Sequence, residues 1–260
     1  MPELPEVETI KNGLSPLIGR QVTAVNILDS HLRRTPPADL NKLVGQSLLT
    51  LERRAKYIIM QFNQDALVVH LGMTGKLLFD PSPKHDRVSW HFTEGQLYYN
   101  DVRRFGYVDW LHNINFNKLG IEPLTADFTA DYLFEQIKSH REAIKLFLLS
   151  QDKVVGLGNI YVCEALFMAK ISPFKSCNLI TYADCTALVP AIKEVLTKAI
   201  TLGGSTLRDY RLSDGGLGGF QDEFLVYGRS GEPCFSCGTA IERTKQGGRS
   251  SFYCPKCQAG

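Results

Sequence analysis

The stretch CFSCGTAIERTKQGGRSSFYCPKC, residues 234–257, holds two Cys-x2-Cys pairs, Cys234/Cys237 and Cys254/Cys257, separated by sixteen residues. Paired thiolates at this spacing, each pair from a tight turn, complete a tetrahedral structural zinc site. The competing reading, four reduced cysteines packed as small hydrophobic groups, fits poorly with the Gly, Pro, Ser and Lys around them. Four thiolates leave no open coordination position, so a single Zn2+ here holds a β-hairpin and does not catalyse. Arg243, Lys245 and Arg249 lie between the pairs and suit phosphate groups. Zinc ribbons also bind protein, so this composition by itself leaves the partner open. Cys163, Cys177 and Cys185 lack ligand spacing and read as ordinary thiols, and an odd total of seven argues against a closed disulfide framework.

Toward the N-terminus, RLSDGGLGGFQD at 211–222 has four glycines and no periodicity, which predicts a long mobile loop. Before it the apolar pattern is helical: Leu133, Phe134 and Ile137 follow Thr129, then come Ile144, Phe147 and Leu148. Further helices are expected over 159–170, before Pro173, and over about 184–202, where Gly203-Gly204 stops the chain. From 21 to about 111 the pattern is that of strands. Val22, Ala24 and Asn26 alternate with their neighbours, YIIMQF and ALVVHLGM are short apolar runs, and Val88, Trp90 and Phe92 repeat at period two before a Thr93-Glu94-Gly95 turn. Short strands without regular helical crossovers favour an antiparallel sandwich over a parallel sheet. The expected fold class is therefore α+β: a short helix over about 3–17, an N-terminal antiparallel β-sandwich, a C-terminal helical domain and a zinc hairpin, with boundaries at 1–124, 125–223 and 224–260.

The 260 residues are 44% hydrophobic and 22% charged, enough to bury one or two ordinary cores. No run approaches the roughly 20 apolar residues of a membrane span, and the opening MPELPEVETI is acidic, unlike a basic leader. A cytoplasmic protein without membrane contact is expected. A formal net charge of +2 does not announce a nucleic-acid partner, because phosphate binding needs local clusters. Such clusters exist: Arg53, Arg54 and Lys56; Arg103 and Arg104; and five basic against two acidic side chains from Tyr227 onward.

At the other end Pro2 follows Met1, and loss of Met1 leaves a secondary amine with a pKa near ~8. Attack of that amine on a sugar C1′ leads to an iminium with no second proton to lose, a permanent electron sink for eliminating the adjacent phosphates. Glu3, in a partly desolvated pocket, would be placed to protonate the ring oxygen. Position alone favours the other reading, PELPEVE as an acidic first helical turn with proline near its start.

PELPEVET at the start, RRAKY at 53–57, HLGMTG at 70–75, KHD at 84–86, RRFG at 103–106, GLGNIY at 156–161 and VYGRSGEPC before the four-Cys finger occur in one order. Together they resemble formamidopyrimidine-DNA glycosylase over nearly the whole chain. The resemblance implies a monomeric bifunctional base-excision enzyme acting on damaged double-stranded DNA. It would excise oxidised purines, 8-oxoguanine and formamidopyrimidines, and cleave the strand by β,δ-elimination. It also implies a helix-two-turns-helix motif in the helical domain. By resemblance, Pro2 is the Schiff-base nucleophile, Glu3 the acid and Glu6 a further acidic residue of the site. Lys56 binds phosphate and takes part in the first elimination, and Arg249 grips phosphates and assists the second. Asn159, His85 and Arg103 match DNA contacts. Met73, Arg103 and Phe105 match side chains that fill the gap left by an extruded nucleotide, and the loop at 213–219 matches one that closes over the base. Val102, Arg87 and His140-Arg141 depart from the family's usual residues and read as surface changes near DNA. Two alternatives are an endonuclease VIII-like enzyme for oxidised pyrimidines, disfavoured by the LPEVET start and the separated Met73 and Arg103-x-Phe105, and an inactive DNA-binding zinc protein, disfavoured by Pro2, Glu3 and Lys56 together.

Overall fold

The computed structural model describes residues 2–82, 84–206 and 210–259. They form two compact units, one of residues up to Asn117 together with Ile200–Gln221, the other of Lys118–Ala199 together with Asp222 onward.

The first unit begins with helix α1 (Leu4–Gly13). Glu3 is its N-cap and Glu6, at N3, closes a capping box, Glu6 Oε2 accepting the Glu3 N–H at 2.8 Å. The helix stops short of the expected 17, and Ser15–Leu17 is a separate 3-10 turn. Pro16 supplies no N–H and its ring opposes the carbonyl one turn back, so an α-helix does not continue through it. Eight strands follow: β1 (Val22–Ile27), β2 (Leu48–Arg54), β3 (Tyr57–Phe62), β4 (Ala66–His70), β5 (Lys76–Leu78), β6 (Asp86–Phe92), β7 (Gln96–Asn100) and β8 (Tyr107–Trp110). They make two four-stranded antiparallel sheets, ordered β1-β6-β7-β5 and β2-β3-β4-β8. Val88, Trp90 and Phe92 all point into the core, as period two requires, alongside Met60 and Phe62 of β3, Leu67 and Val69 of β4 and the Val7-Ile10-Leu14 stripe of α1. The alternation expected in β1 is broken. Val22 and Val25 are the buried pair, because the register with β6 shifts between Val22 and Ala24 and one extra residue resets the faces.

The glycine-rich segment belongs to this unit, and it is better anchored than a long loop without partners. Phe79 N–H donates to the Ser213 carbonyl at 3.1 Å, Gly216 carbonyl accepts from Leu212 N–H at 3.0 Å, and Phe220 N–H closes on Gly204 at 3.0 Å. Backbone hydrogen bonds, invisible to composition, fix the path, and Phe220–Glu223 forms a 3-10 turn.

In the second unit lie α2 (Ala130–Ile137), α3 (Ile144–Leu149), α4 (Asn159–Met168) and most of α5 (Tyr182–Thr201). Thr129 caps α2, its Oγ1 accepting the Tyr132 N–H at 3.1 Å. Between α3 and α4 the chain makes two turns pinned by Gln151, whose Oε1 accepts Gly156 N–H at 2.8 Å and whose Nε2 donates to the Leu157 carbonyl at 2.7 Å. Residues Ile160 to Phe167 are all buried, so α4 is the central helix of this unit. Strands β9 (Glu242–Gln246) and β10 (Arg249–Tyr253) form the terminal hairpin. It shares an apolar cluster with α4: Cys163 and Phe167 pack with Val226, Cys234, Ile241, Phe252 and Cys254. The hairpin and the helices are thus one packed body. Among the described residues, no helix is long and apolar enough to cross a membrane.

Candidate active site and metal centre

The four cysteines of the finger converge. The sulfurs of Cys234, Cys237, Cys254 and Cys257 all lie within 4.8 Å of one another, with Cys234–Cys257 at 3.9 Å and Cys237–Cys254 at 3.5 Å. A tetrahedral ion bound to four thiolates at ~2.3 Å requires sulfur–sulfur edges of about 3.8 Å. The set therefore fits a four-coordinate metal centre, with sulfur shifts of no more than about 1 Å. Cys163 packs in the same apolar cluster as the finger but is not one of the four converging sulfurs, and Cys177 and Cys185 are buried apart from it; burial pushes the Cys177 and Cys185 thiols up to about 12 and about 11, which keeps them protonated and unreactive.

The β9–β10 turn is Gly247-Gly248, with φ of +56° and +78°. This two-residue, doubly left-handed turn matches strand twist and excludes ordinary side chains. A Cβ on Gly247 would also lie 2.5 Å from Leu146 of α3. Arg249 follows the turn directly and is exposed. Its neighbour Ser250 is held from within the unit: the Ser250 carbonyl accepts Asn159 Nδ2 at 2.8 Å and Lys145 Nζ at 2.9 Å. Lys145, 0% exposed, also donates to Ser251 Oγ at 2.7 Å. The structure thus brings Asn159 and the Arg249 strand together. Lys145 was not singled out from the sequence, although a lysine on the same helix as Ile144, Phe147 and Leu148 was a readable signal.

In the first unit Pro2, Glu3 and Glu6 are all buried at the start of α1. Besides capping Glu3, Glu6 accepts from Ser205, at 2.8 Å from its N–H and 3.2 Å from its hydroxyl. That tie joins the N-terminus to the chain just before the glycine-rich segment. Lys56 stands at the tip of a two-residue hairpin between β2 and β3, where Ala55 takes a left-handed φ of +52°. The expected phosphate track through Arg53 is corrected: its side chain is largely buried and its Nε donates to Glu8 Oε2 at 2.7 Å, fastening the end of β2 to α1. Arg229 is likewise committed, to Glu232 and to the Leu225 and Pro233 carbonyls.

Three family profiles match in order: the formamidopyrimidine-DNA glycosylase N-terminal domain over residues 1–108, the formamidopyrimidine-DNA glycosylase H2TH domain over 119–211, and a zinc finger found in FPG and IleRS over 231–260. The formamidopyrimidine-DNA glycosylase of Acinetobacter baylyi is 45% identical over 267 residues, covering 99% of this chain and 98% of that protein. The chain belongs to the formamidopyrimidine-DNA glycosylase family. Among solved relatives, the Thermus thermophilus MutM (Fpg) protein superposes with a TM-score of 0.89 at 39% identity, covering 99% of this chain and 98% of that one. The wild-type Lactococcus lactis Fpg, solved with DNA containing N7-benzyl-Fapy-dG, gives 0.91 at 37% identity with full coverage of both chains.

In this family member Met73, Arg103 and Phe105, the residues matched to the wedge, are exposed on short turns. Met73 is 37% exposed and Phe105 43%, and the Arg103 guanidinium sits 4.7 Å from the Phe105 ring centre. Neither Met73 nor Phe105 packs into a core. His85 is exposed at the edge of β6 with a left-handed φ of +74°. Arg87 is not a surface change. It is buried, its Nη1 donating to Asp29 at 2.5 Å and its Nε to the Asp101 carbonyl at 3.0 Å, acceptors that the fold supplies to a guanidinium held out of solvent.

Behind the Met73 turn lies His70, stacked on Tyr107 with ring centres 5.4 Å apart and accepting the Gly72 N–H on Nδ1 at 3.2 Å. Burial, reinforced by the charges of Arg33, Lys56 and Arg34, holds its imidazole down at about 4. The unfolded chain takes up this proton below about 6.5 and the folded one does not until about 4, so the stabilisation is complete above pH 6.5 and is lost as pH falls toward 4. The gap corresponds to about 3 kcal/mol. Urea unfolding of wild type and His70→Phe across this window is expected to show a smaller loss in the variant by about that amount; parallel pH curves would remove His70 from the account.

Proposed function

We infer that this chain is a bifunctional DNA glycosylase and abasic-site lyase of base-excision repair, excising oxidised purines from damaged double-stranded DNA. The observation that carries the reading is the Pro2-Glu3 pair, buried at the capped start of α1 in a chain that matches this family from end to end. With Met1 removed, the Pro2 nitrogen attacks C1′ of the damaged nucleotide. The bond to the base breaks, and Glu3 supplies the proton that opens the sugar at its ring oxygen. The resulting iminium is cationic without protonation. Loss of a C2′ proton then expels the 3′ phosphate, a second elimination expels the 5′ phosphate, and water releases the sugar remnant from Pro2. Lys56 and Arg249 are assigned to phosphates around the reacting sugar, where their charge favours departure of the phosphate groups. Asn159 and His85 are assigned to the DNA backbone, Met73, Arg103 and Phe105 to the space vacated by the extruded nucleotide, and Glu6 to holding the α1 start in place.

The four-cysteine centre takes one zinc ion in a structural role. When bound, it locks the hairpin that carries Arg249. We also propose that the enzyme works as a monomer in the cytoplasm.

Borohydride reduction in the presence of a duplex with 8-oxoguanine opposite cytosine tests the reading. The expected product is a covalent protein–DNA adduct that maps to Pro2. An adduct formed only with an oxidised-pyrimidine duplex would reassign the substrate class, and none with either duplex, once mass spectrometry confirms Met1 removal, would reduce the chain to a binding protein.

A further inference from the structure

The exposed tips Met73 and Arg103/Phe105 come from separate turns, residues 71–75 and 101–106, yet a set of buried hydrogen bonds joins those turns beneath the surface. Asp101 is fully buried. Its Oδ1 accepts the Thr74 hydroxyl at 2.5 Å, and its Oδ2 accepts the Gly106 N–H at 2.9 Å and the Tyr99 hydroxyl at 3.4 Å. Thr74 Oγ1 in turn accepts the Arg103 N–H at 3.0 Å. One hydroxyl thus bridges the turn that carries Met73 to the backbone of Arg103. Two further contacts close the joint. A Cβ on Gly72 would lie 2.4 Å from Gly106 N and 2.5 Å from the Phe105 carbonyl carbon, so the two backbones touch where only glycine fits. Arg104, with φ +58°, donates to Asp29 at 2.9 Å, and Arg87 holds both Asp29 and the Asp101 carbonyl.

We propose that Asp101 and Thr74 are positioning residues that lock the Met73 and Arg103/Phe105 tips into a single rigid wedge, so that the spacing between the tips is set before DNA is met. The physical reason is preorganisation. Side chains that must enter a stacked duplex do so at lower cost when they are already held at the required separation, and buried, fully partnered hydrogen bonds hold that separation better than exposed ones. Neither residue reaches the surface to touch DNA itself. The inference rests on the glycosylase reading, and it predicts which step suffers. Extruding a paired base needs the wedge most, whereas a preformed abasic site has no base to unstack.

Thr74→Val keeps the shape and removes the hydroxyl; Thr74→Ser restores the hydroxyl. Single-turnover rates are measured on two duplexes, one with 8-oxoguanine opposite cytosine and one with a preformed abasic site opposite cytosine. Thr74→Val is expected to lower the first rate at least about 10-fold more than the second, and Thr74→Ser to return the ratio of the two rates to within about 3-fold of wild type. Equal losses on both duplexes, or no loss on either, overturn the proposal. Should Thr74→Val fail to fold, Asp101→Asn, which accepts from Thr74 or Gly106 but not from both through the same atoms, is read by the same ratio. Wild-type inactivity on both duplexes would instead overturn the glycosylase reading, so the two failures are distinct.

Discussion

Replacing Pro2 with glycine is expected to lower single-turnover strand cleavage at an abasic site by about 100-fold or more, with a matching fall in borohydride-trapped adduct. The variant still offers an N-terminal amine, which is what makes the comparison informative. A primary amine forms an imine that shares its proton with solvent, whereas proline forms an iminium that stays charged through both eliminations. Fold is not at issue: residue 2 precedes the helix cap, and the hydrogen bonds that define the start of α1 belong to Glu3, Glu6 and Ser205. Cleavage at the wild-type rate would transfer the nucleophile to another amine, with Lys56 at the β2–β3 tip the first to examine.

Cys254→Ser is expected to abolish stoichiometric metal binding and to weaken affinity for a lesion-containing duplex by about 100-fold. The apparent contribution of a structural zinc ion, about 10–16 kcal/mol, exceeds anything a 30-residue hairpin recovers by packing. Cys254 is fully buried and belongs to the cluster that includes Cys163 and Phe167 of α4, so metal loss should reach beyond the hairpin. Hydrogen exchange after chelation should show protection lost from the β9–β10 hairpin and the adjoining face of α4. Protection in β3 and β4, whose core residues belong to the first unit, should persist. Simultaneous loss in both units would mean that the metal stabilises the chain as a whole.

Several features were legible in the residues alone because their signals are local. The cysteine spacing determined the four-sulfur cluster, since two tight turns place paired thiolates wherever they dock. Period-two runs such as Val88-Trp90-Phe92 determined the sandwich strands, and Thr129 and Gly203-Gly204 are placed where helices begin or stop. The ordered motifs from PELPEVET to the finger determined the family, because joint spacing over a whole chain is far more specific than any one piece. What only the tertiary structure decided involves partners distant in sequence. Arg53 read as a cation available to phosphate and Arg87 as a surface change near DNA, and it took the folded chain to pair them with Glu8 and Asp29. The glycine-rich stretch read as a free connection until its backbone met Phe79 and Gly204. Lys145 received its acceptors from residues 250 and 251, and Asp101 received Thr74 from a turn 27 positions away. Burial of a charged group is tolerable only when the fold supplies its hydrogen bonds, and those partners are set by sheet register and helix docking, quantities that no local pattern in the chain encodes.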